Sequence, residues 1–319
     1  MFQPDLALVI GQGGLVGKSV VSELRNSIAV FDSPRRINWN DQTSALTDLK
    51  NVVKDFFREV GERSWAIFWC AGKGAFNSTA LQMANETELF SRLLDNVASH
   101  NSRNGRMVFV SSAGGIYGSK SHGLIDGSTP TAPNSDYGMS KLQQEESLQS
   151  FSSQTHIKSV ICRLSTVYGS GQDMHKSQGL ITHLCLSSML RRPANIFVSL
   201  STSRNYVFNQ DAGRLIVEAG LQSEARFVGQ DVSIHRIAAP QSHSIAEVVS
   251  AVETVYKRKI MTANRIDYRS LNYAPRFDIS CSLTTTELAK IHTPLLVGIN
   301  DVKQDLLIQL QAGKLQHLI

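Results

Sequence analysis

The stretch from Leu6 to Asp32 constrains this chain more than any other. Leu6 to Ile10 is a short unbroken apolar run, the pattern of a strand buried on both faces. Gly11-Gln12-Gly13-Gly14-Leu15-Val16-Gly17 follows at once, and apolar residues then recur at Val16, Val20, Val21 and Leu24, the spacing of one helical face. Ile28 to Phe31 is a second apolar run, ending in Asp32. Strand, glycine turn, helix, strand is a βαβ unit. Parallel strands need such a crossover, so this opening excludes an all-helical fold and a purely antiparallel one.

The alternation continues. Arg36 to Trp39 reads as a third strand after a short crossover. Ser44 to Gly61 is expected to be helical, with Leu46, Leu49, Val52, Val53, Phe56 and Phe57 on one face, and Trp65 to Cys70 to be a strand ending at Ala71-Gly72. A helix over Leu81–His100, a strand over Met107–Val110 ending at Ser111-Ser112, a helix over Tyr137–Phe151 and a strand over Ser159–Leu164 complete the regular part. Beyond Gly169 the pattern loosens into a helix at Leu180–Leu190, a strand at Ile234–Ala238, a helix at Ile245–Tyr256 and an irregular tail with short helices from Met261 onward. The expected fold class is α/β: a Rossmann-type doubly wound parallel sheet with a smaller, mixed α/β C-terminal lobe. Residues 1–172 with 205–240 are assigned to the sheet domain, and 173–204 with 241–319 to the smaller lobe.

Composition narrows the partners. The chain has 319 residues, of which 42% are apolar and 18% charged, enough for a large core and no sign of disorder. A formal charge of +5 is mild, and the basic runs are only pairs, Arg35-Arg36 and Arg191-Arg192. A nucleic-acid surface needs denser clusters, so none is expected. Cys70, Cys162, Cys185 and Cys281 form no CxxC pair, the opening Met1-Phe2-Gln3-Pro4-Asp5 is no signal peptide, and no apolar run reaches membrane-spanning length. A cytoplasmic, reduced protein without a membrane segment is the expectation. His122, His175, His183, His235 and His243 show no HxxxH or zinc spacing and are read as surface or packing residues, so no metal is expected. Cys70 has no apparent base partner and is read as packing.

The glycine turn carries chemistry. A strand that turns sharply into a helix lets a pyrophosphate sit on the helix N-terminus. Glycines supply the turn, the close approach and the tight helix–strand contact. Gly11, Gly14 and Gly17 are spaced GxxGxxG between a strand and a helix, and Asp32 at the end of the next strand is placed to hold an adenosine ribose. Tyr137-Gly138-Met139-Ser140-Lys141 puts a lysine one helical turn from a tyrosine, where it favours a phenolate and makes an acid or base at neutral pH.

These segments, with Val108-Phe109-Val110-Ser111-Ser112, Ile116-Tyr117-Gly118, Arg163-Leu164, Val167-Tyr168-Gly169 and Arg204-Asn205-Tyr206-Val207 with Asp211, are similar in order and spacing to the extended short-chain dehydrogenase/reductases, in the branch called NAD-dependent epimerase/dehydratase. The resemblance covers most of the chain and implies roles. Gly11, Gly14, Leu15, Val16, Gly17, Asp32, Ala71, Gly72, Asn85 and Ser111 would line the cofactor with Tyr137 and Lys141. Tyr137 would be the acid/base, Lys141 would hold the nicotinamide ribose, and Ser112, with Ser111 as the alternative, would bond the reacting sugar oxygen. Thr166, Arg204 and Arg276, the last followed by Asp278, would contact a nucleotide-sugar substrate. The resemblance also implies a homodimer through the Tyr137–Phe151 helix and a place in surface-polysaccharide synthesis.

Departures narrow the subgroup. Ala113 stands where most relatives place their catalytic Ser or Thr, and Ala113-Gly114 or Gly114-Gly115 replaces the Asp-Glu of the 4,6-dehydratases. Gly115 stands where the fucose-synthase-like enzymes carry a cysteine. What remains is a nucleotide-sugar 4-epimerase working through a 4-keto sugar, or a 4-keto-sugar reductase. A small-carbonyl reductase and a non-catalytic dinucleotide sensor are the other readings. Asp32 favours NAD over NADP, although Arg35 and Arg36 offer a clamp for a 2′-phosphate.

Overall fold

The computed structural model describes residues 1–72, 74, 78–118, 123–173, 179–222, 227, 229–264, 275–282 and 292–315. Six strands form one fully parallel sheet: β1 (Leu6–Ile10), β2 (Ala29–Val30), β3 (Trp65–Trp69), β4 (Gly105–Ser112), β6 (Lys158–Leu164) and β10 (Val232–Ile237), in the order β2-β1-β3-β4-β6-β10. Alternate residues of β1 feed two cores. Leu6, Leu8 and Ile10 face helices α2 (Gln42–Val60), α3 (Ala80–Ala98) and α5 (Asp136–Thr155), while Ala7 and Val9 face α1 (Leu15–Leu24) and α7 (Asn209–Gly220). A sheet covered on both faces explains why its strands read as unbroken apolar runs.

The helices start where their caps dictate. Asp41 accepts from the Ser44 amide at 2.7 Å to open α2, and Thr79 with Gln82 forms a capping box on α3. Helix α2 then buries Leu49, Val52, Val53, Phe56 and Phe57. Phe56 is fully buried, and its truncation to alanine costs about 3–5 kcal/mol.

A second sheet carries the C-terminal lobe. It runs β11 (Ser242–Ser244), β9 (Ser203–Phe208), β13 (Arg276–Ile279), β5 (Leu124–Ile125), with β7 (Thr166–Tyr168) pairing beside β9. Helices α6 (Leu180–Leu190), α8 (Ile245–Tyr256) and α9 (Leu295–Gln311) enclose a core with Tyr168, Tyr206 and Phe208, and β8 (Ala194–Ile196) pairs with β12 (Thr262–Asn264). The short α4 (Ala113–Tyr117) follows β4 directly.

Two expectations differ from the fold. Arg36 to Trp39 forms no strand: the Asn38 amide bonds the Asp48 side chain at 3.0 Å instead of a ladder, and Trp39 packs edge-on against Trp69. The tail is less irregular than expected, because Ile299, Val302 and Leu306 build the buried face of the long helix α9. No helix among the described residues is long and apolar enough to cross a membrane.

Candidate active site

Between β1 and β3 the direction in which strands are added across the sheet reverses, since α1 leads to the outer strand β2 and α2 returns to β3 on the other side. Such a switch point opens a crevice at the carboxyl ends of the strands. Gly11 turns there with φ +90, and a Cβ on it would lie 2.6 Å from the Ala71 nitrogen. A Cβ on Gly17 would lie 2.1 Å from the Gly11 carbonyl oxygen, so only glycine lets α1 press on the turn. Gly14 caps α1 without a side-chain acceptor, and Gln12, Gly13 and Gly14 are exposed above the crevice. Open helix-end amides over a glycine cradle fit a pyrophosphate. Leu15 and Val16, half-buried, begin the helix.

At one end of the crevice lies Asp32, two residues past β2. Its side chain is 69% exposed, and Arg25 at the end of α1 donates to both its oxygens at 2.7 and 2.9 Å. Arg35 turns away to Asp55, 2.8 Å distant, and Arg36 is exposed.

At the other end lies the tyrosine. Tyr137, in the first turn of α5, is half-buried with Gly74 on one side and Gly115 on the other, where added Cβ atoms would stand 3.0 and 3.1 Å from its ring. Ser112 caps α4 by accepting from the amide of Gly115, the same glycine that borders Tyr137, at 3.2 Å. Ser111, its neighbour on β4, points the opposite way. Its hydroxyl donates to Glu145 at 2.6 Å, and Glu145 is held by Arg163 at 2.7 Å, which also donates to the Tyr117 hydroxyl. Burial pushes the Arg163 pKa down, but the hydrogen bonds and charge of Glu145, with help from Tyr117, together outweigh it and the net direction is up.

Lys141 is almost wholly buried. Its Nζ donates to Glu86 Oε1 at 2.8 Å and to Gln144 Oε1 at 3.0 Å, and lies 5.7 Å from the centre of the Tyr137 ring. Burial pushes its pKa down, but the Glu86 carboxylate, with smaller help from Tyr137 and Glu145, outweighs that and the net direction is up. Asn85 is half-buried, and its carbonyl accepts from Gln42 at 3.2 Å; the next residue, Glu86, is the one that reaches the lysine. Glu86 and Gln144 do not stand out by motif. The sole signal is a charge within the apolar stripe of α3. Ala71 and Gly72 follow β3 beside this group, and Cys70, whose thiol burial pushes up to about 12, is inert packing.

Toward the second lobe, Thr166 is exposed at the start of β7. Arg204 and Arg276 lie on neighbouring strands, but the register pairs Arg276 with Ser203 and Phe277 with Arg204. Paired residues share a face, so the two arginines leave opposite faces of the second sheet. Arg276 is 74% exposed and bonded to Asp278 at 2.5 Å, while Arg204 donates to the Ser203 carbonyl at 2.7 Å. His183 is exposed on α6, His235 is buried on β10 and His243 lies half-buried on β11; His122 and His175 lie outside the described residues.

The model of the NAD-dependent epimerase/dehydratase family matches residues 7–234. This chain belongs to that family. Membership makes it an NAD-dependent enzyme of the epimerase or reductase kind. It is 23% identical over 273 residues to the dTDP-4-dehydro-6-deoxyglucose reductase of Escherichia coli, spanning 79% of this chain and 82% of that one. The structure of the Thermus thermophilus UDP-glucose 4-epimerase in complex with NAD matches with a TM-score of 0.73 over 94% of this chain and 98% of that chain, at 20% identity. An epimerase from Methanothermobacter thermautotrophicus matches with a TM-score of 0.78 over 98% and 94%, at 17% identity. These likenesses show the fold, a Rossmann-type sheet carrying a mixed C-terminal lobe.

Proposed function

We propose that this epimerase-family chain binds NAD along the crevice from Asp32 to Tyr137 and acts on C4 of a nucleotide sugar, as a 4-epimerase. The observation that carries the reading is the buried Lys141 ammonium 5.7 Å from the Tyr137 ring, with Gly115, whose amide Ser112 caps, on the edge of that ring. NAD, when bound, supplies a hydride acceptor and donor. The chain's own residues supply the rest. Ser112 orients the sugar 4-hydroxyl, the Lys141 cation stabilises the phenolate charge on the Tyr137 oxygen, and that oxygen takes the hydroxyl proton and is neutralised by it. After the 4-keto sugar presents its other face, Tyr137 returns the proton. No carboxylate occupies Ala113, Gly114 or Gly115, so neither elimination nor protonation at C5 has a side chain to perform it there.

The nucleotide part of the substrate belongs on the second lobe. Arg204 and Thr166, which share one face of the second sheet, are its candidates, while Arg276 leaves the other face and does not join them there. Residues 1–172 with 205–240 then serve the cofactor, and 173–204 with 241–319 the substrate. A homodimer through α5, a cytoplasmic site of action and a role in polysaccharide synthesis complete the reading.

The test is to incubate the pure chain with UDP-, dTDP- and GDP-sugars and analyse the products. Epimers formed without added cofactor are the expected result. Tyr137→Phe should lower turnover by about 10²–10⁴-fold. A second reading, reduction of a 4-keto sugar, is favoured by the likeness to the E. coli reductase over 79% of this chain. Consumption of NADH or NADPH with a 4-keto sugar, and no epimer, would establish it. No turnover of any nucleotide sugar sinks both.

A further inference from the structure

Helix α3 turns Met83, Leu89, Phe90, Leu93 and Leu94 toward the core, and Glu86 lies within that buried stripe. A carboxylate there is unfavourable unless paired, and leucine would serve the packing better. Both its oxygens are engaged with the site. Oε1 accepts from Lys141 at 2.8 Å, and Oε2 accepts from the Gly74 amide at 3.1 Å. A Cβ on Gly72 would stand 2.9 Å from Oε1, so the glycine makes room for the carboxylate. Glu86 thereby joins α3, the turn after β3 and α5 at one ammonium.

An ammonium has three N–H donors. Glu86 takes one and Gln144 another, which leaves one for Tyr137 or for a ligand in the crevice. The titratable groups around Lys141 are Glu86 from α3 and Tyr137 and Glu145 from its own helix, while β4 presents the Phe109 ring at 5.4 Å. Glu145 is already gripped by Arg163 through both oxygens and by Ser111. Glu86 is therefore the carboxylate that answers Lys141.

We propose that Glu86 is a positioning residue of this active site, whose carboxylate holds the Lys141 ammonium beside Tyr137 and pins the turn after β3 against it. Its catalytic consequence rests on the function proposed above; its effect on Lys141 does not. Without Glu86, burial acts on Lys141 with much less opposition, and the lysine releases its proton at lower pH.

Two measurements on the full chain test this. The first needs no substrate: an NMR titration of the Lys141 side chain, labelled with carbon-13 at Cε. In the wild type Lys141 should keep its proton past the ordinary lysine range. In Glu86→Gln it should titrate below that range, and in Glu86→Asp between the two. The second is the pH–rate profile with whichever sugar the wild type converts. Glu86→Gln should lower kcat about tenfold or more. It should also bring in an alkaline limb below that of the wild type and leave KM nearly unchanged. Glu86→Asp should restore the limb in part. A Lys141 titration that Glu86→Gln does not move overturns the proposal, as does a Glu86→Asp profile identical to that of Glu86→Gln. If Glu86→Gln does not fold, Glu86→Leu, which suits the apolar stripe, carries the same measurements. A wild type inert toward all sugars removes the functional reading, while the titration still decides the role of Glu86.

Discussion

The two ends of the crevice carry carboxylate–cation pairs of nearly equal length in opposite surroundings. Arg25 and Asp32 meet at 2.7 Å with their side chains 54% and 69% exposed. Lys141 and Glu86 meet at 2.8 Å with theirs 5% and 10% exposed. Distance alone makes them equivalent; the medium does not. In water an ion pair is screened and contributes about 0–1 kcal/mol, and either partner can exchange it for a ligand. In the interior each charge is a liability without the other. The exposed pair is suited to adapting to the adenosine end of a cofactor, and the buried pair to keeping the reacting end invariant.

The comparison breaks most visibly at the buried end. Lys141→Met leaves the Glu86 carboxylate without its cation and should destabilise the chain by about 3–5 kcal/mol in chemical denaturation, together with loss of turnover. Adding Glu86→Leu should recover most of that stability and none of the activity. A single variant as stable as the wild type would mean that the pair is not buried in solution. Arg163→Met sharpens the point, because its pair with Glu145 is just as enclosed but is bonded to Ser111 and Tyr117 and not to Lys141. A similar loss of about 3–5 kcal/mol is expected, with a smaller loss of turnover per folded molecule than Lys141→Met gives. Midway along the crevice, Gly17→Ala forces a Cβ against the Gly11 carbonyl. It should cost about 1–3 kcal/mol and weaken NADH binding, followed by fluorescence. The smallest effect belongs to Arg25→Gln. Stability should change by less than about 1 kcal/mol. Freed of its partner, Asp32 should bond ribose hydroxyls and repel a 2′-phosphate more strongly. The ratio of NADH to NADPH affinity should then rise, and an unchanged ratio would remove Arg25 from cofactor choice.

What the sequence made legible follows the same division between local and distant causes. Strands buried on both faces appear as apolar runs, and helices with strong caps declare their ends. Ile245–Tyr256 begins after Ser244 and is closed by Lys257 in the left-handed region, and both limits are readable. The strand expected at 36–39 fails because a side chain of α2 claims its backbone. The length of α9 is hidden because its start at Pro294 lacks a side-chain cap. Within the site, the order Gly11, Tyr137, Lys141 is local pattern and can be read directly. The contrast between Ser111 and Ser112 depends on Glu145, and the divergence of Arg204 from Arg276 depends on strand register. Glu86 is visible only as a charge at an apolar position, and its meaning comes from a lysine on another helix.

The room that Gly72 leaves for the Glu86 carboxylate has a consequence for how this chain can vary. Lys141 and the Gly74 amide both hold Glu86, so a Cβ at position 72, 2.9 Å from its oxygen, would press on that pair and make a side chain at 72 and a glutamate at 86 poor neighbours. Descendants of this sequence should tend to keep both residues or change both. A drift to alanine at 72 should cost least where residue 86 has already become shorter or apolar, so the packing favours that order of the two substitutions along a lineage.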